Sequence, residues 1–287
     1  MTVLVALATL GGLTSLLAMM LIIANKRLYV YEDPRIDVVE EMLPHANCGA
    51  CGFPGCRPFA EALVTGESLP AKCTVSTPEG LSAIASYLKV ALGTSEKLVA
   101  RLACAGGNNV ALNRARYEGI PSCQAASLIS GGGKGCFWGC LGHGDCEAVC
   151  DFDAITMDSY SLPQVDENKC TACGDCVEVC PKDLFSLQPV DHQLWVACKN
   201  LEAGDDILVD CQVACTACSK CAMDAPGNLI SMVNNLPVVN YSEKQTMDAI
   251  QRCPTGAIVW LDRKLGVVKG RESKRIIRKG PRELGSS

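Results

Sequence analysis

Residues 170–181 read CTACGDCVEVCP, in which Cys170, Cys173, Cys176 and Cys180 follow the pattern C-x2-C-x2-C-x3-C-P. Three thiolates with this spacing on a tight loop converge on one iron–sulfur cubane, and the cysteine before the proline reaches a neighbouring cluster. Sixteen further cysteines surround this run. A disulfide framework is the alternative, but it requires an oxidising compartment. The pattern therefore predicts a protein that carries [4Fe–4S] clusters and moves electrons.

The first 25 residues carry no ionisable side chain. At a rise of about 1.5 Å per residue, a helix of this length crosses a hydrocarbon layer of about 30 Å, which predicts a transmembrane anchor over residues 1–25. A cleaved signal peptide is the alternative, but no basic region precedes the apolar run. Lys26, Arg27 and Arg35 lie in a juxtamembrane linker, residues 26–35. The positive-inside rule then predicts a single-pass protein of the cell membrane, with its bulk in the cytoplasm, where thiols stay reduced.

The charge is unevenly distributed along the chain. Residues 262–287 carry nine basic and three acidic side chains, whereas residues 1–261 carry 17 basic and 28 acidic ones. A basic tail of this kind is usually a solvated, poorly ordered end, and a contact with a membrane surface or another protein of a complex is the alternative. The acidic pI of about 5.3 argues against nucleic acid as a partner.

A first group of cysteines lies in residues 36–100. Its members are Cys48, Cys51, Cys56 and Cys73. Glycine and proline between the first three give the loop the turns needed to wrap a cofactor, and helices are expected over 57–64 and from Thr77 onward. Four thiolates in such a loop predict a [4Fe–4S] site. Zinc is the alternative, although zinc sites of four cysteines usually form two separated C-x2-C pairs.

Residues 136–181 and 211–254 repeat one unit. Cys136, Cys140 and Cys146 match Cys211, Cys215 and Cys221 at an offset of 75. We therefore expect a ferredoxin-like unit with two clusters over residues 136–190 and a second unit over residues 191–261. Residues 101–135 are expected to connect the first cluster domain to this pair.

The second unit has lost four cysteines together. The positions equivalent to Cys150, Cys170, Cys173 and Cys176 are occupied by Ala225, Glu243, Thr246 and Ala249. Random loss would remove ligands from different clusters, so the joint loss supports crossed ligation, in which those four cysteines hold one cluster of the first unit. The second unit then keeps a single cluster, with the ligands Cys215, Cys218, Cys221 and Cys253.

The other cluster of the first unit lacks its middle thiolate, because its run reads CLGHGDC over residues 140–146. Cys140, Cys146 and Cys180 therefore need a fourth ligand, which either Cys136 or His143 could supply. We favour Cys136, since thiolate is the usual ligand. Four cysteines remain after this assignment, namely Cys104, Cys123, Cys198 and Cys211. They suffice for a fifth cluster, but no spacing pattern joins them, and buried free thiols are the alternative.

No motif indicates chemistry beyond electron transfer. Residues 131–135, GGGKG, lack the G-x4-G-K-[ST] spacing of a phosphate-binding loop. The three histidines, His45, His143 and His192, form no catalytic constellation. We therefore expect an electron relay without a nucleotide, flavin or catalytic substrate site of its own.

The order of these motifs resembles the B subunit of the Rnf electron transport complex. The Cys48 to Cys73 motif and residues 135–150, GCFWGCLGHGDCEAVC, carry the resemblance, which covers almost the whole chain. It implies an α+β protein with one N-terminal transmembrane helix, a small helical [4Fe–4S] domain and duplicated ferredoxin-like units. The loss of four ligands in the second unit departs from the longer members of the family.

The resemblance also implies a function. The chain would be the electron-transfer subunit of an ion-translocating oxidoreductase, or translocase, and would take electrons from soluble reduced ferredoxin. Its partners would be the other membrane and flavoprotein subunits of the complex, and its cofactors [4Fe–4S] clusters, four by the assignment above, with a fifth left open on the remaining cysteines. Two other roles stay open, an iron–sulfur adaptor for a redox sensor or another membrane oxidoreductase, and an accessory protein of a corrinoid or dehydrogenase system.

Overall fold

The computed structural model describes residues 1–28 and 31–283. Helix α1, Thr2–Leu28, ends in Lys26 and Arg27, and its Leu4–Leu28 segment is long and apolar enough to cross a membrane. Nothing in the described chain packs against this segment, and a helix that is apolar all round without a protein partner suits a lipid environment. Positions 29–30 of the expected linker and 284–287 of the expected tail lie outside the described residues.

A small helical domain follows. It contains α2 (Arg35–Met42), α3 (Cys56–Thr65), a 3₁₀ turn (Pro70–Lys72) and α4 (Pro78–Leu88). The amphipathic helices bury Phe59, Leu63 and Ile84 against one another. Helix α4 begins where the sequence predicts, because Thr77 Oγ1 accepts a hydrogen bond of 3.2 Å from the backbone N of Gly80 and a proline occupies the first helical position.

Two copies of one α+β unit come next. The first contains β1 (Leu98–Leu102), β2 (Leu112–Asn113), α5 (Cys123–Ser127), α6 (Asp145–Ala148), β3 (Ile155–Met157), β4 (Pro163–Val165), α7 (Asp175–Glu178) and β5 (Phe185–Pro189). The second contains β6 (Leu194–Val196), a 3₁₀ turn (Asp206–Val209), α8 (Lys220–Asp224), β7 (Ile230–Val233), β8 (Leu236–Val239), a 3₁₀ turn (Met247–Ile250) and β9 (Ile258–Asp262). The duplication read from the sequence is therefore visible in the order of elements.

The two copies have the same pattern of strand pairing. Antiparallel pairs join the first strand to the last, β1 to β5 with Leu98 opposite Pro189 and β6 to β9 with Leu194 opposite Trp260. Antiparallel hairpins, β3–β4 and β7–β8, lie within each copy. Strand β1 thus belongs to the first copy, although the sequence boundaries leave it outside residues 136–190. An insertion between β1 and Cys136 hides this relation in the sequence.

The basic C-terminal segment is bound to both copies. After β10 (Gly266–Val268), which pairs with β9, the chain crosses from the second copy to the first through residues 270–283, here named the strap. The backbone N of Lys274 donates to Pro254 O (3.0 Å), and that of Arg282 donates to Asn108 O (2.7 Å). Strand β11 (Arg282–Glu283) then pairs in parallel with β2. A solvated end, the usual structure for such a tail, is therefore not what this segment forms.

Candidate metal centres

The twenty cysteines are all free, and we sort them into five groups of four, numbered I to V, as candidate sites. Group I is Cys48, Cys51, Cys56 and Cys73; group II is Cys150, Cys170, Cys173 and Cys176; group III is Cys123, Cys140, Cys146 and Cys180; group IV is Cys104, Cys136, Cys198 and Cys211; group V is Cys215, Cys218, Cys221 and Cys253. Groups II, IV and V each line one cavity. In group I, Cys51, Cys56 and Cys73 pack against one core. In group III, the backbone N of Cys123 donates to Asp145, the residue before Cys146.

The thiols of groups II, IV and V are arranged in sets of four. Each set lines one cavity, with a free volume of about 20 Å³. In groups II and V, three of the four thiols come from one C-x2-C-x2-C loop. Zinc sites of four cysteines usually form two separated C-x2-C pairs. The single loop therefore favours a [4Fe–4S] cubane over zinc.

The loops that carry the C-x2-C-x2-C spacing share one backbone conformation. In each loop the third and fifth residues have positive φ angles, and these residues are Gly142 and Gly144, Ala172 and Gly174, and Ala217 and Ser219. A left-handed conformation costs a non-glycine residue about 1–2 kcal/mol, so the alanines and the serine are held there by their surroundings. Such turns direct backbone N–H groups inward and create a concavity for an anion. Residues 140–146 keep this conformation although they lack the middle cysteine.

Group I lies on the helical domain. Cys51, Cys56 and Cys73 pack against its core. Cys56 begins α3, and its backbone N donates to Asn47 Oδ1 (2.8 Å), which fixes the start of the helix beside the loop. Burial raises the pKa of the Cys51 thiol, and the Cys73 and Cys48 thiols add to this effect. The four cysteines that the sequence groups here are therefore held around one loop and one helix end.

Cys123 lies beside α6, the helix that carries Cys146 of group III. Asp145, the first residue of α6, accepts a hydrogen bond of 2.8 Å from the backbone N of Cys123, which fixes the start of α5 beside α6. Burial raises the pKa of the Cys146 thiol to about 12, and the Cys123 and Cys180 thiols add to this effect. The two helix starts thus bring together thiols that are distant in sequence.

The two ligands considered for this position lie elsewhere. The His143 ring packs edge-on against Tyr117, with 5.4 Å between centroids, and both residues line an outer cleft. Cys136 lines the group IV cavity. The sequence predicts that Cys136 groups with Cys140, whereas the structure places Cys136 in the group IV cavity. The sequence also predicts that Cys123 groups with Cys104, whereas the structure places Cys123 beside α6. Proximity in sequence favours Cys136, whereas Cys123 is positioned by the packing of α5 and no spacing pattern indicates it.

Group IV takes two thiols from each copy. Cys104 follows β1 and Cys198 follows β6, which are equivalent strands. Cys136 and Cys211 are equivalent positions of the repeat. The four thiols therefore meet at the junction between the copies with approximate twofold symmetry.

The hydrogen bonds around group IV repeat this symmetry. Cys104 Sγ accepts from the backbone N of Gly106 (3.4 Å) and of Cys140 (3.5 Å). In the second copy, Cys198 Sγ accepts from the backbone N of Asn200 (3.4 Å) and of Cys215 (3.3 Å). Amide donors aimed at ligand sulfurs stabilise the negative charge of an iron–sulfur site. The pattern therefore has the chemistry that a cluster requires.

Glycine and burial shape this cavity further. A Cβ on Gly106 would lie 3.2 Å from Cys211 Sγ, so the backbone approaches the thiols more closely than another residue allows. Burial raises the pKa of Cys211 to about 12 and those of Cys136 and Cys198 to about 11. Thiols in this environment are protonated at neutral pH, so metal binding must release their protons.

A buried lysine lies between groups III and IV. Lys134 is 9% exposed, and its Nζ donates to Gly106 O and to Cys140 O, the latter at 2.6 Å. Its two hydrogen bonds thus reach one residue of group IV's cavity wall, Gly106, and one residue of group III, Cys140. A buried ammonium group is costly unless its charge is compensated. A cluster with four thiolates is an anion, and two such clusters nearby would supply that compensation.

The second copy has no open site at the positions of its missing cysteines. Ala249 is fully buried in the apolar core. Gln245 fills the space next to it, since its Oε1 accepts hydrogen bonds of 2.8 Å from the backbone N of Gln193 and of Leu194. Residues 243–249 contain no positive φ angle, whereas the equivalent residues 170–176 contain two. The loop has therefore lost the cluster-binding backbone along with the thiolates.

Replacing those four residues with cysteine should not restore a cluster. The variant combines Ala225→Cys, Glu243→Cys, Thr246→Cys and Ala249→Cys. We expect its iron content after anaerobic reconstitution to equal that of the unmodified chain, because the loop keeps its core packing and a backbone without positive φ angles. A comparison variant adds Gln245→Ala and Met247→Gly, which permit the two positive φ angles that this loop lacks. A gain of about four irons in the first variant would contradict the expectation.

Comparison with known proteins identifies two iron–sulfur regions and a family. Family models match residues 43–75, described as an Fe-S cluster, and residues 136–184, described as a 4Fe-4S dicluster domain. The chain is 39% identical over 257 residues to the B subunit of the Na⁺-translocating ferredoxin:NAD⁺ oxidoreductase complex of Acetobacterium woodii, an alignment that covers 89% of this chain and 77% of the relative.

Two further relatives are similar over nearly their full length. The B subunit of the proton-translocating ferredoxin:NAD⁺ oxidoreductase complex of Clostridium ljungdahlii is 38% identical and covered to 92%, with 90% of this chain aligned. The B subunit of the ion-translocating oxidoreductase complex of Methanosarcina acetivorans is 33% identical and covered to 96%, with 88% of this chain aligned. The chain therefore belongs to the family of B subunits of the ion-translocating ferredoxin:NAD⁺ oxidoreductase complexes, the Rnf complexes.

Proposed function

We propose that this protein relays electrons from soluble reduced ferredoxin into an Rnf complex through five [4Fe–4S] clusters, one in each group of thiols. It has no catalytic substrate site of its own in this proposal. The observation that carries it is the succession of the five groups, because residues of each group, or residues next to them, lie against residues of the following group. A succession of this kind gives electrons one path through the protein.

The first two contacts join groups I, II and III. Thr74 Oγ1 donates to Thr171 O at 2.7 Å, and these residues directly follow Cys73 of group I and Cys170 of group II. Group II adjoins group III, since Cys146 and Cys176 belong to one buried cluster against which Cys150, Cys170 and Cys180 pack. The helical domain is thus the neighbour of the first ferredoxin-like unit.

The next two contacts join groups III, IV and V. The backbone N of Cys140 in group III donates to Cys104 Sγ in group IV (3.5 Å). The backbone N of Cys215 in group V donates to Cys198 Sγ in group IV (3.3 Å). Group IV therefore connects the two copies, and the order of the path is V, IV, III, II, I or its reverse.

The crossed assignment of group II is part of this proposal. Cys150 lines the same cavity as Cys170, Cys173 and Cys176, which supports its ligation to that cluster. The backbone N of Ala154 donates to Cys150 Sγ (3.3 Å), and that of Ala100 donates to Cys170 Sγ (3.4 Å). When bound, each cluster supplies a one-electron carrier. The chain supplies the thiolates, the N–H donors that tune the potential and the walls that exclude water.

The two ends of the path face different environments. Group I belongs to the domain that follows α1, so it lies nearest to the membrane in the chain. We place α1 in the cell membrane and, by the basic residues Lys26 and Arg27, the rest of the chain in the cytoplasm. The partners in this proposal are the membrane and flavoprotein subunits at the group I end and ferredoxin at the other.

Metal analysis tests the number of clusters. Anaerobically purified full-length protein should contain about twenty irons and about twenty inorganic sulfides per chain. Low-temperature EPR of the dithionite-reduced protein should integrate to about five spins of the [4Fe–4S]⁺ type. A full complement of about sixteen irons after reconstitution would contradict the presence of a fifth cluster. Failure of reduced ferredoxin to reduce a fully loaded protein would contradict the relay.

A further inference from the structure

Group V has the most accessible thiol of the chain. Of the twenty cysteines, all within residues 31–283, Cys218 alone is exposed. It lines an open cleft with a volume of about 780 Å³. Thr216, Cys218, Pro254 and Thr255 line both this cleft and the group V cavity. An electron carrier seated in the cleft would therefore contact the wall of group V.

The strap makes the cleft basic. The cleft is lined by four cationic side chains, Lys220, Lys274, Arg275 and Arg278, and by one carboxylate, Asp205. Lys220 Nζ lies 3.7 Å from a carboxylate oxygen of Glu272. Within the described chain, no carboxylate oxygen lies within 4.0 Å of the side-chain nitrogens of the three cations from the strap. Their charge is therefore available to a partner.

An apolar centre completes this surface. Ile277, between the strap arginines, is 80% exposed, while its neighbour Ile276 packs against the core around Val213 and Cys211. The inward residue holds the strap in place while the outward one faces the cleft. An exposed apolar side chain inside a charged rim is the usual anatomy of a protein interface.

The exposed charges near group II are mainly acidic. Asp151, Asp153 and Glu178 are exposed close to its cysteines in sequence, and Lys169 is exposed beside Cys170. Thr74 of the helical domain approaches from another side. An acidic partner would be repelled there and attracted to the strap. The charge pattern therefore selects group V over group II as the place where such a partner docks.

We infer that the cleft around Cys218, with Lys274, Arg275 and Arg278 on its rim, is the docking surface for a small, acidic electron-carrying protein of the ferredoxin type. This inference rests on the proposed function and assigns one end of the path to group V. Complementary charge across such a surface accelerates encounter and makes the rate depend on salt.

Charge reversal on the strap tests the inference in the full-length, cluster-loaded protein. One variant combines Lys274→Glu, Arg275→Glu and Arg278→Glu, whose side chains are exposed. The matched control, Lys89→Glu, Lys244→Glu and Lys264→Glu, changes net charge equally at exposed sites outside the cleft. Stopped-flow reduction by an acidic two-cluster ferredoxin at low salt should be slower by about tenfold or more in the first variant. It should change by less than about twofold in the control, and only the cleft variant should lose the decrease of rate with salt.

Two further measurements separate the possible outcomes. Reduction by dithionite and the iron content should be unchanged in both variants. If the charge reversal disturbs the cluster, the neutral variant Lys274→Gln, Arg275→Gln and Arg278→Gln should still show a slower ferredoxin reaction at unchanged iron content. Equal ferredoxin rates in the cleft and control variants would overturn the inference. It would also be overturned if the cleft variant lost binding to anionic phosphatidylserine vesicles while its ferredoxin rates stayed intact. An unmodified protein that dithionite reduces but ferredoxin does not would refute the proposed function instead.

Discussion

Replacing Cys104 and Cys136 together should remove one [4Fe–4S] cluster, whereas replacing Cys104 and Cys123 together should remove two. The first pair lines one cavity, while Cys123 lies with group III. Each Cys→Ala change deprives a cluster of one of its four thiolates, and a second change at the same cluster adds little. Integrated EPR spins of the reduced protein measure the number of clusters that keep the [4Fe–4S]⁺ state.

The grouping favoured by sequence spacing predicts the reverse result. If Cys136 ligated the cluster of Cys140 and Cys146, the pair with Cys104 would remove two clusters and the pair with Cys123 only one. The double variant Cys150→Ala and Cys176→Ala is the control, because both thiols line the group II cavity and one cluster should be lost. Two clusters lost from that control would mean that the crossed ligation is wrong.

Replacing Lys134 with methionine should lower the reduction potentials of the clusters in groups III and IV. The buried ammonium contacts one residue from the wall of each site, Gly106 and Cys140. A unit charge several ångströms away, at an effective dielectric constant of about 20, stabilises an added electron by roughly 1–3 kcal/mol. For a one-electron couple this corresponds to a shift of roughly 45–130 mV. An EPR-monitored redox titration measures the change.

Two companion variants test whether charge is the cause. Lys134→Arg keeps the positive charge and should keep the potentials close to those of the unmodified protein. Lys182, a half-buried lysine whose Nζ donates to Phe137 O at 2.8 Å, is screened by water, so Lys182→Met should produce a smaller shift. Equal potentials in Lys134→Met and the unmodified protein, at equal iron content, would mean that this charge does not tune the sites.

Local spacing predicts the sites whose ligands lie close together. The CTACGDC run predicts three members of group II, and Cys218 with its neighbours predicts group V, because a tight loop alone brings those thiolates together. The start of α4 at Thr77 follows from capping chemistry in the same way. Features of this kind depend on a few consecutive residues, so the sequence contains all the information they need.

The membership of groups III and IV depends on tertiary structure. Cys123 reaches group III through the packing of α5 on α6, and Cys104 reaches group IV because β1 pairs with β5 across the whole first copy. One signal for group IV is nonetheless present in the sequence. Residues 102–104, LAC, and 196–198, VAC, are matched tripeptides at the ends of equivalent strands. The repeat read from the sequence begins at Cys136 and Cys211, so it leaves these two tripeptides out.

The composition of the basic tail contains no information about its hydrogen-bonding partners. Its strand β11 finds an unpaired edge at β2, and Ile276 finds an apolar surface around Val213. Both partners are distant in sequence. A charged segment is disordered when it cannot bury apolar surface or satisfy its backbone. This segment packs Ile276 against an apolar surface and pairs its backbone with β2.

The symmetric arrangement of group IV has a consequence for the order in which the protein is made. Its cysteines span roughly a hundred residues, so closing this site carries a greater entropic cost than closing group I within the helical domain. Cys211 must leave the ribosome before the site can be completed, and the strap, synthesised later still, can pair with β2 only afterwards. The helical domain can thus mature while the rest of the chain is being translated. Iron bound at group IV would then add a link between two copies that the strap also joins, so the junction between the copies would be the last part of the protein to be completed.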